Sequence, residues 1–168
     1  LNDGSNAAPR LRTSHALWAL IELPRGGPEW TLDEKFRRVA GAGFGAVEAW
    51  PDENNVAEMT AALRHHHLSF GYGFRTGDPS RVLAGVAFAR QWGADYMNLH
   101  LEGPYVPVDE MIARARAVMA VSDDTGFPIF VETHRGTITE NLATVWRIVE
   151  AVPDIRFCAD LSHFALAS

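Results

Sequence analysis

The sequence predicts an α/β fold, a parallel sheet with helical cover, from two observations. Short apolar runs alternate with amphipathic stretches of roughly 10–18 residues, and glycine-containing links separate the units. Six strand-like runs, each divided from the next by a helix-like one, require parallel strands joined by crossovers. Two architectures fit that rhythm: an open doubly wound sheet, or part of a (β/α)₈ TIM barrel. A whole barrel takes about 250 residues. A chain of 168 has room for six units rather than all of them.

Taken in order, residues 1–13 (LNDGSNAAPRLRT) are small and polar and read as a flexible N-terminal arm, leaving 14–168 as the domain. HALWALI (15–21) reads as the first strand. Thr31 and Glu34 in TLDE form a capping box, each side chain satisfying a free N–H where a helix opens. That helix ends at the glycines of GAGFG. AVEAW (46–50) is the second strand, NVAEMTAALRHH a helix, and LSFGYGFR (68–75) the third strand. Asp78 and Pro79 suit the cap and first position of the next helix. DYMNLHL (95–101) is the fourth strand, followed by the helix DEMIARARAVMAVSDDTG. PIFVETH (128–134) is the fifth strand, and Thr137 with Glu140 in TITE makes a second capping box for a helix running to about 151. IRFCADLSH (155–163) is the sixth strand.

Composition narrows the function classes. The net charge of -6 argues against a nucleic-acid backbone as the main partner, because phosphate binding needs a basic face. One cysteine, Cys158, excludes an internal disulfide and a cysteine-only zinc site. No apolar run reaches the length of about 18 residues that spans a membrane. A small-molecule partner and a cytoplasmic location are the expectations, and the Leu at position 1 leaves room for a removed signal peptide.

In parallel α/β proteins ligands gather at the carboxyl ends of the strands. The polar residues there are Glu48, Arg75, His100, Glu132, His134, Asp160 and His163. Strand alternation puts Phe130, Glu132 and His134 on one face, and Arg156, Cys158 and Asp160 on one face of the next strand. His163 falls in the loop just past that strand, free to turn back toward Asp160. Adjacent strands lie about 4.8 Å apart, so Glu132 and Asp160 come close enough to repel. Protonation of one, an intervening cation or a metal ion relieves that repulsion. Carboxylates beside imidazoles suit Mn²⁺, Zn²⁺, Co²⁺ or Fe²⁺, and carboxylates alone take Mg²⁺. A structural ion-pair network with Arg75, Arg135 or Arg156 is the competing reading. The HHH run at 65–67 reads as a helix C-terminus, where cationic side chains meet the dipole, rather than as a metal tract. Trp18, Trp50, Phe70 and Tyr72 read as core before sugar platform.

FVETHRG followed by FCADLSHF, with GFGAVEAW upstream, resembles the xylose-isomerase-like barrel superfamily of sugar isomerases, epimerases and zinc-dependent AP endonucleases. The resemblance runs over about residues 14–164 and selects the barrel over the open sheet. It implies Glu132 and Asp160 as metal ligands, and His163 as a metal ligand in the endonucleases or a substrate contact in the sugar enzymes. It implies catalytic roles for Glu132 and His163 and substrate contacts at His100 and Glu48, and His134, on the Glu132 face of its strand, is a further candidate substrate contact. The implied activity is metal-dependent isomerisation or epimerisation of a small sugar, polyol or hydroxy-ketone through an enediolate. The alternatives are an AP-endonuclease-like phosphodiesterase and a non-catalytic barrel domain. The superfamily takes further ligands from strands seven and eight, beyond residue 168. The expectation is therefore a longer chain of about 250 residues or more, or open sheet edges covered by another copy in a homo-oligomer.

Overall fold

The computed structural model describes residues 12–166. Most of the arm expected over 1–13 lies outside the described residues. Six strands are present: β1 Ser14–Ala16, β2 Ala46–Ala49, β3 Ser69–Thr76, β4 Tyr96–Leu101, β5 Ile129–Glu132 and β6 Phe157–Cys158. The helices are α1 Leu32–Gly41, α2 Val56–His65, α3 Val82–Gln91, α4 Val108–Thr125, α5 Leu142–Ala151 and α6 Ser162–Leu166. The strands pair in the order β1-β2-β3-β4-β5-β6, all parallel. A doubly wound sheet reverses its strand order at a switch point. This sheet never reverses, and it forms part of a TIM barrel.

Alternation divides each strand between two environments. Met97, Leu99 and Leu101 of β4 and Ile129 and Val131 of β5 are wholly buried and pack outward with the helices. Phe36 of α1, Val56 of α2, Val82 of α3, Val118 and Met119 of α4 and Ile148 of α5 close over them. The complementary positions, among them Glu48, Asn98, His100 and Glu132, face the barrel interior, so the interior is polar where the outer layer is apolar. Half of the first capping box forms: Thr31 Oγ1 accepts from the N–H of Glu34, while the Glu34 carboxylate accepts from Arg37 and Arg38.

Four boundaries differ from the sequence pattern. β1 stops at Ala16, and Leu17–Leu20 form a 3₁₀ turn that buries Leu20 and leaves Trp18 exposed. β1 has a partner on one side only, and that pairing ends at Ala16↔Glu48. β5 ends at Glu132, so His134 stands on a loop. The second capping box does not open α5. Asn141 does, accepting from Ala143 and Thr144 N–H, while Glu140 turns back to accept from Gly136 N–H. β6 shrinks to Phe157–Cys158, and Asp160 caps α6 by accepting from Ser162 N–H at 3.0 Å. His163 therefore lies in the first turn of a helix instead of a loop.

Two glycines on β3 make room for the interior. A Cβ on Gly71 would collide with the Tyr96 ring, and one on Gly73 with the indole of Trp50. At these positions β3 contributes only backbone, and rings from its neighbours cross the space. Gly73→Ala is expected to cost about 1–3 kcal/mol as overpacking, and much less in a Trp50→Ala background. Urea unfolding of the two single variants and the double variant checks this. Additive costs would show that the indole is not what the methyl displaces.

Candidate functional site

A cavity of about 510 Å³ opens at the carboxyl ends of the strands. Trp18, Glu48, Trp50, Arg75, His100, Glu132, His134, Asp160, Ser162 and His163 line it. The side chains are brought there by the inward positions of β2, β4 and β5 and by the chain just past β5 and β6.

Glu48 and Glu132 are bridged by one amide. Asn98 Nδ2 donates to Glu48 Oε1 at 3.0 Å and also to Glu132 Oε2. Tyr96 O–H donates to Glu48 Oε2 at 3.1 Å. Each proton of the Asn98 amide thus serves a different carboxylate, which fixes the amide's orientation. Its Oδ1 is left buried without a partner.

Around Glu132 the imidazoles form a continuous row. Trp50 meets His100 edge-on with centroids 4.5 Å apart, His100 lies 4.2 Å from His134, and His134 lies 4.0 Å from His163. His100 Nε2 lies 2.9 Å from Glu132 Oε2. That distance permits charge pairing, yet neither ring nitrogen of His100 has a hydrogen bond of acceptable geometry. The approach is close but out of line, so we read it as a contact rather than a bond. Donor atoms of His100, Glu132 and His134 lie within 4.8 Å of one another, as do those of Glu132, Asp160 and His163. Glu132 belongs to both groups.

Arg135 sets the tautomers of two of these rings. His134 Nδ1 donates to Arg135 O at 2.5 Å, which leaves Nε2 with its lone pair. Arg135 Nε donates to His163 Nδ1 at 3.3 Å, so the neutral His163 ring carries its proton on Nε2, which faces Asp160 Oδ2 at 3.5 Å.

Burial pushes the Glu132 carboxyl up, but His100, Asn98 and His134 together outweigh it and hold its pKa below the ordinary value. Burial lowers His134, opposed by its bond to Arg135 O and reinforced by the neighbouring imidazoles. The Ser162 hydroxyl leads in holding Asp160 low. Burial, then Glu132, Glu48 and Asp160, raise the Cys158 thiol to about 12, so it is protonated at neutral pH and packs rather than reacts.

The structure brings Glu48, His100, Glu132, His134, Asp160 and His163 to one cavity. The arginines do not settle between the carboxylates: Arg75 pairs with Glu102, Arg156 with Asp123, and Arg135 with His163. The neutral amide of Asn98 takes that place for Glu48 and Glu132. Asn98 and Tyr96, which hold the candidate carboxylates, are residues that the strand-end search passes over. The alternation of DYMNLHL puts both on the face of His100, which was the available signal. Of the aromatics, Phe70 and Tyr72 are core, whereas Trp18 and Trp50 line the cavity. His65–His67 lie outside it, with His66 Nε2 2.8 Å from Asp33 Oδ1.

A model of the family described as xylose isomerase-like TIM barrel matches residues 36–168. No curated protein matches the chain in sequence. Among solved structures, the probable 3-DHS dehydratase AsbF involved in petrobactin synthesis from Bacillus anthracis is 12% identical, with a TM-score of 0.65. The match covers 94% of this chain and 65% of that one. The carboxyl transferase domain of Rhizobium etli pyruvate carboxylase with 3-bromopyruvate is 17% identical, with a TM-score of 0.55, over 76% of this chain and 23% of that one. At these identities the likeness is one of fold. The chain spans less than two thirds of either. Among the described residues no helix is long and apolar enough to cross a membrane.

The lowered groups make acid stability a readout of the site. Glu132, Asp160 and His134 each bind a proton less readily folded than unfolded. Their contribution is present above the ordinary values, about 4 for the carboxyls and about 6.5 for the imidazole, and is lost as pH falls through the lowered ones. Urea unfolding of metal-free protein is expected to weaken steadily from about pH 6.5 downward, with a shallower acid slope in Glu132→Gln. Identical slopes would contradict the burial and pairing of Glu132.

Proposed function

Because the chain belongs to the xylose isomerase-like TIM barrel family, we propose that it is a divalent-metal-dependent isomerase or epimerase of a small sugar, polyol or hydroxy-ketone. The observation that carries this reading is the pair of overlapping donor groups centred on Glu132 at the cavity mouth. The donor set fits such an ion. It mixes carboxylate and imidazole, as Mn²⁺, Co²⁺ and Zn²⁺ prefer, and buried His100 has two ring nitrogens without hydrogen bonds.

Glu132 and Asp160 would hold the ion, and His100 stands beside Glu132 in the other donor group. When bound, it supplies Lewis acidity toward a substrate carbonyl and its neighbouring hydroxyl. Proton removal from the carbon between them falls to the chain's own groups. His134 is the candidate acceptor: it is held neutral, and its bond to Arg135 O keeps the Nε2 lone pair free. Glu132 is the other candidate. His163, with Nδ1 engaged by Arg135, offers an N–H on Nε2 to Asp160 or to a substrate oxygen. That tautomer favours the substrate contact of the sugar enzymes over the ligand role of the endonucleases, as does the net charge of -6. Trp18 and Trp50 add aromatic rings to the cavity wall. AsbF is named as a probable dehydratase. Loss of water from a β-hydroxy-carbonyl compound starts with the same proton removal, so such compounds belong in the substrate panel.

Glu132→Gln is expected to lower Mn²⁺ or Co²⁺ affinity at least tenfold, about 1.4 kcal/mol, and to remove turnover on the responsive aldose or ketose. Unchanged metal content in that variant would defeat the ligand assignment. Cleavage of abasic DNA with no sugar turnover would favour the phosphodiesterase, and a wild-type protein that takes up no metal would favour a non-catalytic barrel. His163→Ala is expected to keep its Tm within a few degrees, about 1 kcal/mol or less, and to lose most turnover. A large fall in Tm with full turnover per folded molecule would make His163 structural.

A further inference from the structure

Three threonines stand behind the mouth, where they contribute nothing to the cavity wall. Thr133, Thr137 and Thr139 are 4%, 0% and 0% exposed. Each hydroxyl bonds the backbone of a residue that carries a candidate group. Thr139 Oγ1 donates to Glu132 O at 2.5 Å and accepts from His134 N at 3.3 Å. Thr137 Oγ1 donates to His134 O at 2.6 Å. Thr133 Oγ1 donates to Asp160 O at 2.9 Å. The hydroxyls of Thr137 and Thr139 also touch at 2.8 Å. Two hydroxyl protons can make only two of these three contacts hydrogen bonds at once, and Thr139 N–H ties the pair by donating to Thr137 Oγ1 at 3.2 Å.

Glu132 ends β5, and after Thr133, whose N–H donates to Cys158 O at 3.0 Å, the backbone leaves the ladder. The threonines then satisfy its polar groups, because a buried backbone group left unpaired is costly. Their own position comes from β4: Ile138 is 1% exposed and its N–H donates to Leu101 O at 2.9 Å, and Thr137 bridges to Glu102. A rigid strand thus holds the threonines, and the threonines hold Glu132, His134 and Asp160.

On the metal-site reading proposed above, we infer that Thr139, with Thr137 and Thr133, is a positioning residue that sets Glu132 and Asp160 for a divalent ion and His134 beside it. Outer groups of this kind orient ligands without touching the ion, and their loss commonly costs about 10–100-fold in affinity. Thr139→Val keeps the shape and removes the hydroxyl's bonds to Glu132 O and His134 N along with its contact to Thr137. Thr139→Ser keeps them.

The test is Mn²⁺ titration calorimetry on the full chain, with Thr125→Val as control. The Thr125 hydroxyl donates to Val121 O at 2.6 Å, at the far end of α4. Thr139→Val is expected to lose at least about tenfold in Mn²⁺ affinity, Thr139→Ser to restore it, and Thr125→Val to leave it unchanged. Wild-type affinity in Thr139→Val, failure of Ser to restore it, or an equal loss in Thr125→Val would overturn the inference. Should Thr139→Val fail to fold, Thr133→Val carries the same expectation. The imidazole NMR resonances of the metal-free protein give a second readout. In Thr139→Val the His134 signals are expected to shift while those of His65 and His66 stay. If the wild type takes up no Mn²⁺, the metal reading itself fails and this readout decides alone: unmoved His134 signals overturn the inference.

Discussion

A carboxylate held in the barrel interior is the constraint on which the rest of the site depends. Glu132 is 9% exposed, and a charge that deep must be compensated. Asn98 supplies one N–H but gives its other to Glu48, and His100 approaches out of line. The compensation is partial by construction, leaving Asn98 Oδ1 and both His100 nitrogens unbonded. In a core built only for stability, such groups would be apolar or fully paired. Here they converge on a cavity mouth, and the proposed cation site rests on that convergence.

The barrel makes this possible through its two-sided strands. The outer layer of Met97, Leu99, Leu101, Ile129 and Val131 carries the hydrophobic burial. Each inward residue is free to be polar at a cost the outer layer absorbs. β3 presents Gly71 and Gly73 inward, and the rings of Tyr96 and Trp50 fill that space. The cavity wall thereby mixes the rings of Trp18 and Trp50 with carboxylate, imidazole and guanidinium groups.

Much of this was legible in the sequence because strand alternation and strand-end placement are local properties. The apolar runs located every strand, and the Glu-x-His and Asp-x-x-His spacings brought four candidate residues to one mouth. What stayed hidden was set by tertiary partners. TITE has the form of a capping box, but docking of Ile138 on β4 pulls Thr137 and Thr139 inward, and Asn141 becomes the cap. The role of Asn98 depends on Glu48 and Glu132 converging from two other strands, which no window of residues reveals. The tautomers of His134 and His163 follow from a carbonyl and a guanidinium of the same residue, Arg135, and depend on loop geometry.

The most direct test of the Glu132-centred ion site is a crystal of the protein soaked in Mn²⁺, with data collected to show anomalous scattering. The account predicts one strong anomalous peak within bonding distance of both the Glu132 and Asp160 carboxylates, beside His100. A well-ordered, fully soaked crystal with no peak at that mouth, or with a peak only elsewhere, would contradict it.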